Sequence, residues 1–290
     1  MLYFLSYSNI FIALCAASLC SYCHLLVYNK FPGWVLPGFV FSATLFAYNF
    51  HRRLGRIYTD SSSLKLKKSI SFEIKNKWVT KNKLVIDWII ILSFCSSLLL
   101  LYLLPKITLI IIFPLALLSI LYIIQIREIP ALRSVPFLKI FIIAFVWGGV
   151  MALLPILSKG ESELIFSLES QLLAIAIALF VFGETIPFDI RDLSEDRATK
   201  LKTIPLKIGL KKSKLLSLSV YLIAGILFTC CIIFYNKPQI FTLSFGLSLL
   251  ISFLIVLRVN TQKQELYYSL LIESSLAFPF IFYFFLSFLT

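Results

Sequence analysis

Apolar and polar residues follow one another along this chain in long blocks. Nine apolar blocks are long enough to cross the hydrocarbon core of a bilayer, which takes a helix of about 20 residues. Their approximate bounds are 9–28, 34–55, 84–104, 107–126, 137–157, 163–188, 214–235, 239–257 and 266–288. We therefore predict an all-α polytopic membrane protein, a bundle of about nine transmembrane helices around a central cavity.

The composition agrees with this pattern. Hydrophobic residues make up 60% of the chain and charged residues 14%, and the mean hydropathy is +0.94. A soluble domain has about 25% charged residues. A β-barrel is disfavoured because the apolar runs are continuous, whereas barrel strands alternate. The net charge of +13 lies mainly between the apolar runs, so we expect membrane lipids as its partners and no nucleic acid.

Lys and Arg divide unevenly between the two sides of the predicted bundle. Of the 27 in the chain, 23 lie in the segments that follow the even-numbered spans. The four on the other side are Lys30, Lys106, Lys159 and Lys237. Because basic loops stay in the cytoplasm, we expect the N-terminus and the polar loops near 56–83 and 189–213 to be cytoplasmic. The prediction is one multi-pass domain, residues 1–290, in a bacterial inner membrane.

The polar segment Gly183–Gly209 contains three of the five aspartates of the chain: Asp189, Asp192 and Asp196. On a helix, offsets of 3 and 7 residues place their side chains on one face. Carboxylates crowded together repel one another unless a cation lies among them, and Mg²⁺ prefers such oxygen ligands. The alternative is a solvated helix end in which nearby basic residues neutralise the acids: Arg191, Arg197 and Lys200.

Two segments resemble motifs of the UbiA superfamily of intramembrane prenyltransferases. The first is similar to the second aspartate-rich motif of that family, DxxDxxxD followed by a basic residue, Thr-Ile/Leu-Pro and Gly. The matching residues are Asp189, Asp192, Asp196, Lys202, Thr203, Pro205 and Gly209. The second, LRSVPFLKIFIIAFVWGG, resembles the junction of spans 4 and 5 through Arg133, Lys139 and Gly148. The chain is thus identified as a single UbiA-like domain.

The resemblance implies a reaction and a set of site residues. In this family Mg²⁺ holds a prenyl diphosphate, the diphosphate leaves, and a lipid-soluble or aromatic acceptor attacks the allylic cation. By this resemblance Asp189, Asp192 and Asp196 are the expected metal ligands. Asn49 is then an accessory ligand or a donor to the diphosphate, beside Arg53 and Lys202. Further substrate contacts are expected from Arg56, Tyr122, Arg133 and Lys139.

The first aspartate motif departs from the family pattern. The corresponding stretch reads AYNFHRRLGRIYTD: Asn49 matches, but Arg53 and Ile57 stand at the two expected acidic positions, and Asp60 is out of phase. One interpretation is a prenyltransferase in which arginines bind diphosphate in place of part of the metal. A second is a non-catalytic member that binds or carries a lipid. A third is that these arginines only anchor the membrane interface.

Glu184 lies inside the sixth predicted span, five residues before Asp189. Ionisable residues within membranes are rare and are usually functional. Five residues correspond to about 140° around a helix, so Glu184 is expected to lie off the face of the aspartates. A basic residue of the second span is the expected kind of partner.

Overall fold

Apolar helices form nearly all of the structure. The computed structural model describes residues 1–60, 70–124, 131–199 and 201–289, apart from the side chains of 55–60 and 70–73. No β-strand occurs within these residues. The helices that correspond to the nine predicted spans are α1 (Ile10–Tyr28), α2 (Val35–Asp60), α3 (Lys83–Leu103), α4 (Leu109–Leu121), α5 (Leu138–Leu157), α6 (Leu168–Arg191), α7 (Ile204–Phe234), α8 (Ile240–Leu257) and α9 (Phe278–Ser287).

Six helices in the described part of the chain are long and apolar enough to cross a membrane: α1, α3, α5, α6, α7 and α8. Helix α2 has 26 residues, but its C-terminal part carries His51, Arg52 and Arg53. Helix α4 with the turn before it (Lys106–Leu121) and helix α9 are shorter. The predicted all-α membrane class is therefore confirmed, and the count of nine spans is approximate.

Helices α1 and α6 lie at the centre of the bundle. In each, 67% of the apolar window is buried, against 22% in α3. Close packing around α6 depends on glycines, because a Cβ at Gly148 of α5 would lie 2.7 Å from the carbonyl oxygen of Ala174. A Cβ at Gly183 would lie 2.4 Å from the ring of Tyr221 on α7. Small residues at such positions let membrane helices approach closely.

The start of α7 follows from its sequence. Pro205 lies in the first turn, where its missing N–H has no intrahelical acceptor in any case. Gly209 adopts φ 79° and ψ 165°, a conformation that a side chain disfavours, and it interrupts the helix. The segment between α6 and the kink at Gly209 therefore lies at the end of the bundle and not along its wall.

Short elements cover the end of the bundle at which α2 and α6 finish, which we call the polar end. The N-terminal helix Leu2–Tyr7 packs against helix Ile70–Lys81, and the rings of Tyr7 and Trp78 lie 5.7 Å apart. On its other side, the hydroxyl of Ser6 donates a hydrogen bond of 2.6 Å to that of Ser269. The N-terminal helix is therefore part of the polar end.

Candidate functional site

The three aspartates of the second motif lie on two helices. Helix α6 ends at Arg191, Asp192 takes the non-helical capping position, and a new helix runs over Leu193–Ala198. The N–H of Leu201 then donates to the carbonyl of Asp196 at 2.9 Å, which turns the chain back toward α7. The expectation of one continuous helical face therefore needs correction: the chain bends at Asp192, between Asp189 and Asp196.

Asp189 and Asp196 line one cleft at the polar end, together with three basic residues: Arg133, Lys139 and Lys202. Asp189 is 2% exposed, and its Oδ1 accepts a bond of 2.7 Å from Nζ of Lys139. The family resemblance predicts Lys202 as a diphosphate contact, and Arg133 and Lys139 as substrate contacts. The structure brings them to the two carboxylates from the start of α5 and from the segment before α7.

Backbone hydrogen bonds join the two walls of this cleft. The N–H of Phe137 donates to the carbonyl of Lys202 at 3.1 Å, and the N–H of Arg133 donates to the carbonyl of Tyr122 at 3.1 Å. This bond joins the backbone of Tyr122 to Arg133, although Tyr122 itself is not among the described residues that line the cleft. The ring of His51, on α2, lies 6.2 Å from that of Tyr122.

Asp196 is the aspartate with an unused oxygen. It is 5% exposed, and its Oδ2 makes no hydrogen bond within the described chain. The hydroxyl of Thr203, which interacts with it, also lacks a hydrogen-bond partner. Burial raises the pKa of the Asp196 carboxyl to about 6; Lys139 opposes this rise, and the neighbouring Asp189 adds to it. Among the three aspartates, Asp196 is therefore the one that could accept a cation without first losing a hydrogen bond of this oxygen.

Asp192 belongs to a chain of ion pairs. The guanidinium of Arg191 donates to both carboxylate oxygens of Asp192, at 2.7 and 3.0 Å. The same guanidinium of Arg191 also donates to both carboxylate oxygens of Glu265, at 3.1 and 3.2 Å. Glu265 in turn accepts a hydrogen bond of 2.6 Å from Nζ of Lys75. Burial alone would raise the pKa of Asp192, but Arg191 lowers it below its ordinary value. The pairing of Asp192 with Arg191 is the one that the solvated-helix alternative expects.

The asparagine of the first motif holds the N-terminal segment. Asn49 is fully buried, and its amide nitrogen donates to the carbonyl of Ser8 at 2.8 Å. Its Oδ1 accepts a bond of 3.0 Å from the side chain of Asn9, which has the left-handed φ of 62° that Asn tolerates. The guanidinium of Arg52 donates to the carbonyl of Tyr7 and to Oδ1 of Asn9. Asn49 and Arg52 thus bind backbone and side-chain groups of residues 7–9.

Arg53 lies in a second cleft. Its Nε is 3.6 Å from the carboxylate of Asp87 on α3, and both side chains are more than a third exposed. Asn49 and Lys83 line the same cleft, whereas Asp189 and Asp196 line the other one. The predicted role of Arg53 on the diphosphate stays a prediction, and the side chain of Arg56 lies outside the described residues.

Two residues that the sequence reasoning missed connect these parts. These residues are Lys75 and Glu265. Nζ of Lys75 lies 5.7 Å from the ring centre of Tyr7 and donates a hydrogen bond to Glu265. Lys75 therefore links the N-terminal helix to the chain of ion pairs that ends at Asp192. Arg52 and Arg191 both act electrostatically on Lys75. Glu265 is the only acid in the polar segment 258–266, and that isolation was the signal available in the sequence.

Comparison with known proteins defines the class to which this arrangement belongs. The sequence model of the UbiA prenyltransferase family matches residues 75–287, so the chain belongs to that family. The match includes the second aspartate motif and begins after the segment with Asn49 and Arg53. No curated protein sequence matches the chain significantly.

Two solved structures share the fold. One is the apo structure of a UbiA homolog from Aeropyrum pernix K1, with a TM-score of 0.68 and 18% identity over 97% of this chain and 98% of the other. The second comes from a study of the biosynthesis of digeranylgeranylglyceryl phosphate synthase in membranes, with a TM-score of 0.55 and 17% identity over 96% of both chains. At these identities the similarity establishes the fold.

Proposed function

We propose that this protein is a prenyltransferase that moves an isoprenyl group from a prenyl diphosphate to a lipid-soluble or aromatic acceptor. The observation that carries the proposal is the cleft in which Asp189 and Asp196 face Arg133, Lys139 and Lys202 at the end of an apolar bundle. Oxygen ligands for a metal and cationic donors for a diphosphate thus share one cleft, next to apolar helices that suit an isoprenyl tail.

The donor set fits Mg²⁺ in its chemistry. The unpartnered oxygen of Asp196 is a hard ligand, and Asp189 and Asp192 would complete an all-carboxylate set. Within the described residues, no three His, Cys, Asp or Glu side chains are already close enough together to hold a metal ion. Asp189 and Asp192 would therefore have to exchange part of their contacts with Lys139 and Arg191 for the ion. When bound, Mg²⁺ would supply positive charge against the leaving diphosphate.

Basic side chains would bind and orient the diphosphate. Arg133 offers a planar guanidinium that matches phosphate oxygens, and Lys139 and Lys202 offer ammonium groups. Because Lys139 is already paired with Asp189, a bound diphosphate would compete with that carboxylate. Release of Asp189 would leave its charge available for the metal, so anion binding and metal binding are expected to favour each other.

The apolar interior would protect the allylic cation. Tyr48 of α2, which is 36% exposed, interacts with Tyr122 at the end of α4 and with Trp147 of α5. Aromatic faces attract cations, and an apolar surrounding limits capture of the cation by water. We infer the same orientation as the charge distribution predicts, with the polar end in the cytoplasm and the bundle in a bacterial inner membrane.

A second candidate is a non-catalytic family member that binds or carries a prenyl lipid. The observation that favours it is the engagement of the expected metal ligands: Lys139 neutralises Asp189, Arg191 neutralises Asp192, and Asn49 bonds Asn9. Such a protein would bind a prenyl diphosphate through its basic residues without consuming it.

Turnover separates the two functions. The full chain in nanodiscs would be incubated with radiolabelled prenyl diphosphates of several chain lengths, Mg²⁺ and a membrane lipid extract, and release of diphosphate and labelled product would be measured. We expect Mg²⁺-dependent release that Asp196→Asn and Asp189→Asn abolish. The matched control is Glu163→Gln, which changes an exposed acid near the start of α6 and should keep full activity. Binding of the diphosphate without release, in every combination, would support the carrier.

A further inference from the structure

A second group of polar side chains is buried in the apolar part of the bundle. Glu184 of α6 is 3% exposed and Tyr221 of α7 is 1% exposed. Ser252 of α8 and Ser275, which precedes α9, are fully buried. Glu184 lies five residues before Asp189 on α6, about 7.5 Å along the helix axis toward the interior. The group is therefore separate from the cleft of Asp189 and Asp196.

These side chains converge without satisfying one another. The hydroxyls of Tyr221, Ser275 and Ser252 lie near enough to Glu184 for weak hydrogen bonding to its carboxyl. Nevertheless, both oxygens of Glu184 and all three hydroxyls lack a partner in hydrogen-bond geometry. The group accounts for five of the seven buried side-chain polar atoms without a partner in the described part of the chain. Burial of unpaired polar atoms in an apolar interior is unfavourable, so a polar ligand bound among them would be stabilised.

The charge of the group is also uncompensated. The described residues provide no ion pair to Glu184, and the basic partner expected from the second span is not among its neighbours. Among the residues that the structure describes, Tyr221 is the only other titratable group that acts on it. An ionised Glu184 would thus be a single negative charge in a medium of low dielectric constant, which requires a counter-charge.

The surrounding packing holds the oxygens in place. Gly183 leaves room for the ring of Tyr221, and a Cβ there would lie 2.4 Å from that ring. One turn before Tyr221, the hydroxyl of Ser217 donates to the carbonyl of Gly183 at 2.7 Å. Both contacts join α7 to α6 beside Glu184, so the ring of Tyr221 is packed closely against α6.

We propose that Glu184, Tyr221, Ser252 and Ser275 form a binding site for a monovalent cation, with Na⁺ as the ligand. All five oxygens are hard donors, which suit hard cations. One carboxylate and one Na⁺ leave the group neutral, whereas a divalent ion would leave a net positive charge in the bundle. Bound Na⁺ joins α6, α7, α8 and the segment before α9 and stabilises the wall below the polar cleft.

Direct binding and thermal stability test this site. The full chain in detergent at pH 8.5 would be dialysed against ²²Na⁺ and heated in NaCl, KCl or choline chloride at equal ionic strength. We expect one Na⁺ per chain and an unfolding temperature that rises with Na⁺ but not with choline. Glu184→Gln and Ser252→Ala should remove both effects, and Glu163→Gln should keep them. No prenyl diphosphate is present, so the result is independent of the proposed transferase activity.

The contrary outcome is equally clear. Equal unfolding temperatures in Na⁺ and choline, with no bound ²²Na⁺, would overturn the proposal and leave Glu184 as a protonated carboxyl. If Glu184→Gln fails to fold, Ser252→Ala and Tyr221→Phe decide, because Na⁺ bound to the unmodified chain alone could lie at the carboxylates of the polar cleft. Tyr221→Phe, which removes one donor and keeps the ring, should then weaken Na⁺ binding at least several-fold. Unchanged Na⁺ affinity in that variant would exclude the tyrosine from the site.

Discussion

The side chain of Asn9 donates a hydrogen bond of 3.0 Å to Oδ1 of Asn49. Asn49 is the residue that matches the first motif of the UbiA family, and in this protein it binds the turn between the N-terminal helix and α1. The first motif, in which Arg53 and Ile57 stand at the expected acidic positions, thus holds the N-terminal segment at the polar end. The second motif keeps its aspartates, two of them paired with basic residues.

The Asn9–Asn49 contact should stabilise the fold. Asn9→Ala removes one bond to Asn49 and one from Arg52, so we expect a loss of about 1–3 kcal/mol in the free energy of unfolding. Asn49→Ala should cost a similar amount, and the double variant less than the sum. Chemical denaturation in detergent measures the cycle. Additive losses would mean that the two side chains stabilise the protein separately.

Lys139 should be required for the stability of the second motif. Lys139→Met leaves the nearly buried carboxylate of Asp189 without its partner, and loss of one member of a buried pair costs about 3–5 kcal/mol. Asp189→Asn in the same chain removes the unpaired charge and should recover much of that loss. Thermal unfolding of the single and double variants measures both effects. An unfolding temperature that Lys139→Met leaves unchanged would contradict the prediction.

Acid should weaken the ion pairs of Glu265. Burial opposes ionisation of this carboxyl, but Arg191 and Lys75 lower its pKa below the ordinary value of 4.5. Since the pKa is lower in the folded state, the stabilisation is complete above pH 4.5 and is lost as the pH falls through the lower folded value. Compared with the unmodified protein, Glu265→Gln should be less stable at pH 7 and should lose less stability between pH 5 and pH 3. Thermal unfolding at each pH measures both differences. Parallel pH profiles would contradict this role.

Gly183 should not tolerate a side chain. In Gly183→Ala the new Cβ would overlap the ring of Tyr221, and overpacking of this kind costs about 1–3 kcal/mol. Gly246→Ala on α8 is the matched control, because nothing lies within 4 Å of the added methyl group. The control should be neutral or slightly more stable, since Ala favours helices. Equal unfolding temperatures for the two variants would show that α6 and α7 separate easily.

Part of the site is predictable from the sequence because the motif is local. Asp189, Asp192 and Asp196 lie close in sequence, and the resemblance also named Arg133, Lys139 and Lys202, which the structure brings to the same cleft as Asp189 and Asp196. The break at Asp192 was not predicted, because a capping residue in a polar segment leaves no hydrophobic periodicity to read. The partners of the charged groups were mostly missed for a different reason.

Those partners come from distant segments. Glu265 and Lys75 are 190 residues apart, and Glu184 faces hydroxyls of three other segments instead of the basic residue that was expected. The sequence by itself determined the membrane class and the location of the second motif, because apolar blocks and local motifs are properties of adjacent residues. The tertiary structure decided which charges are paired and which oxygens are left unsatisfied, because that depends on the rotation and axial position of each helix against its neighbours.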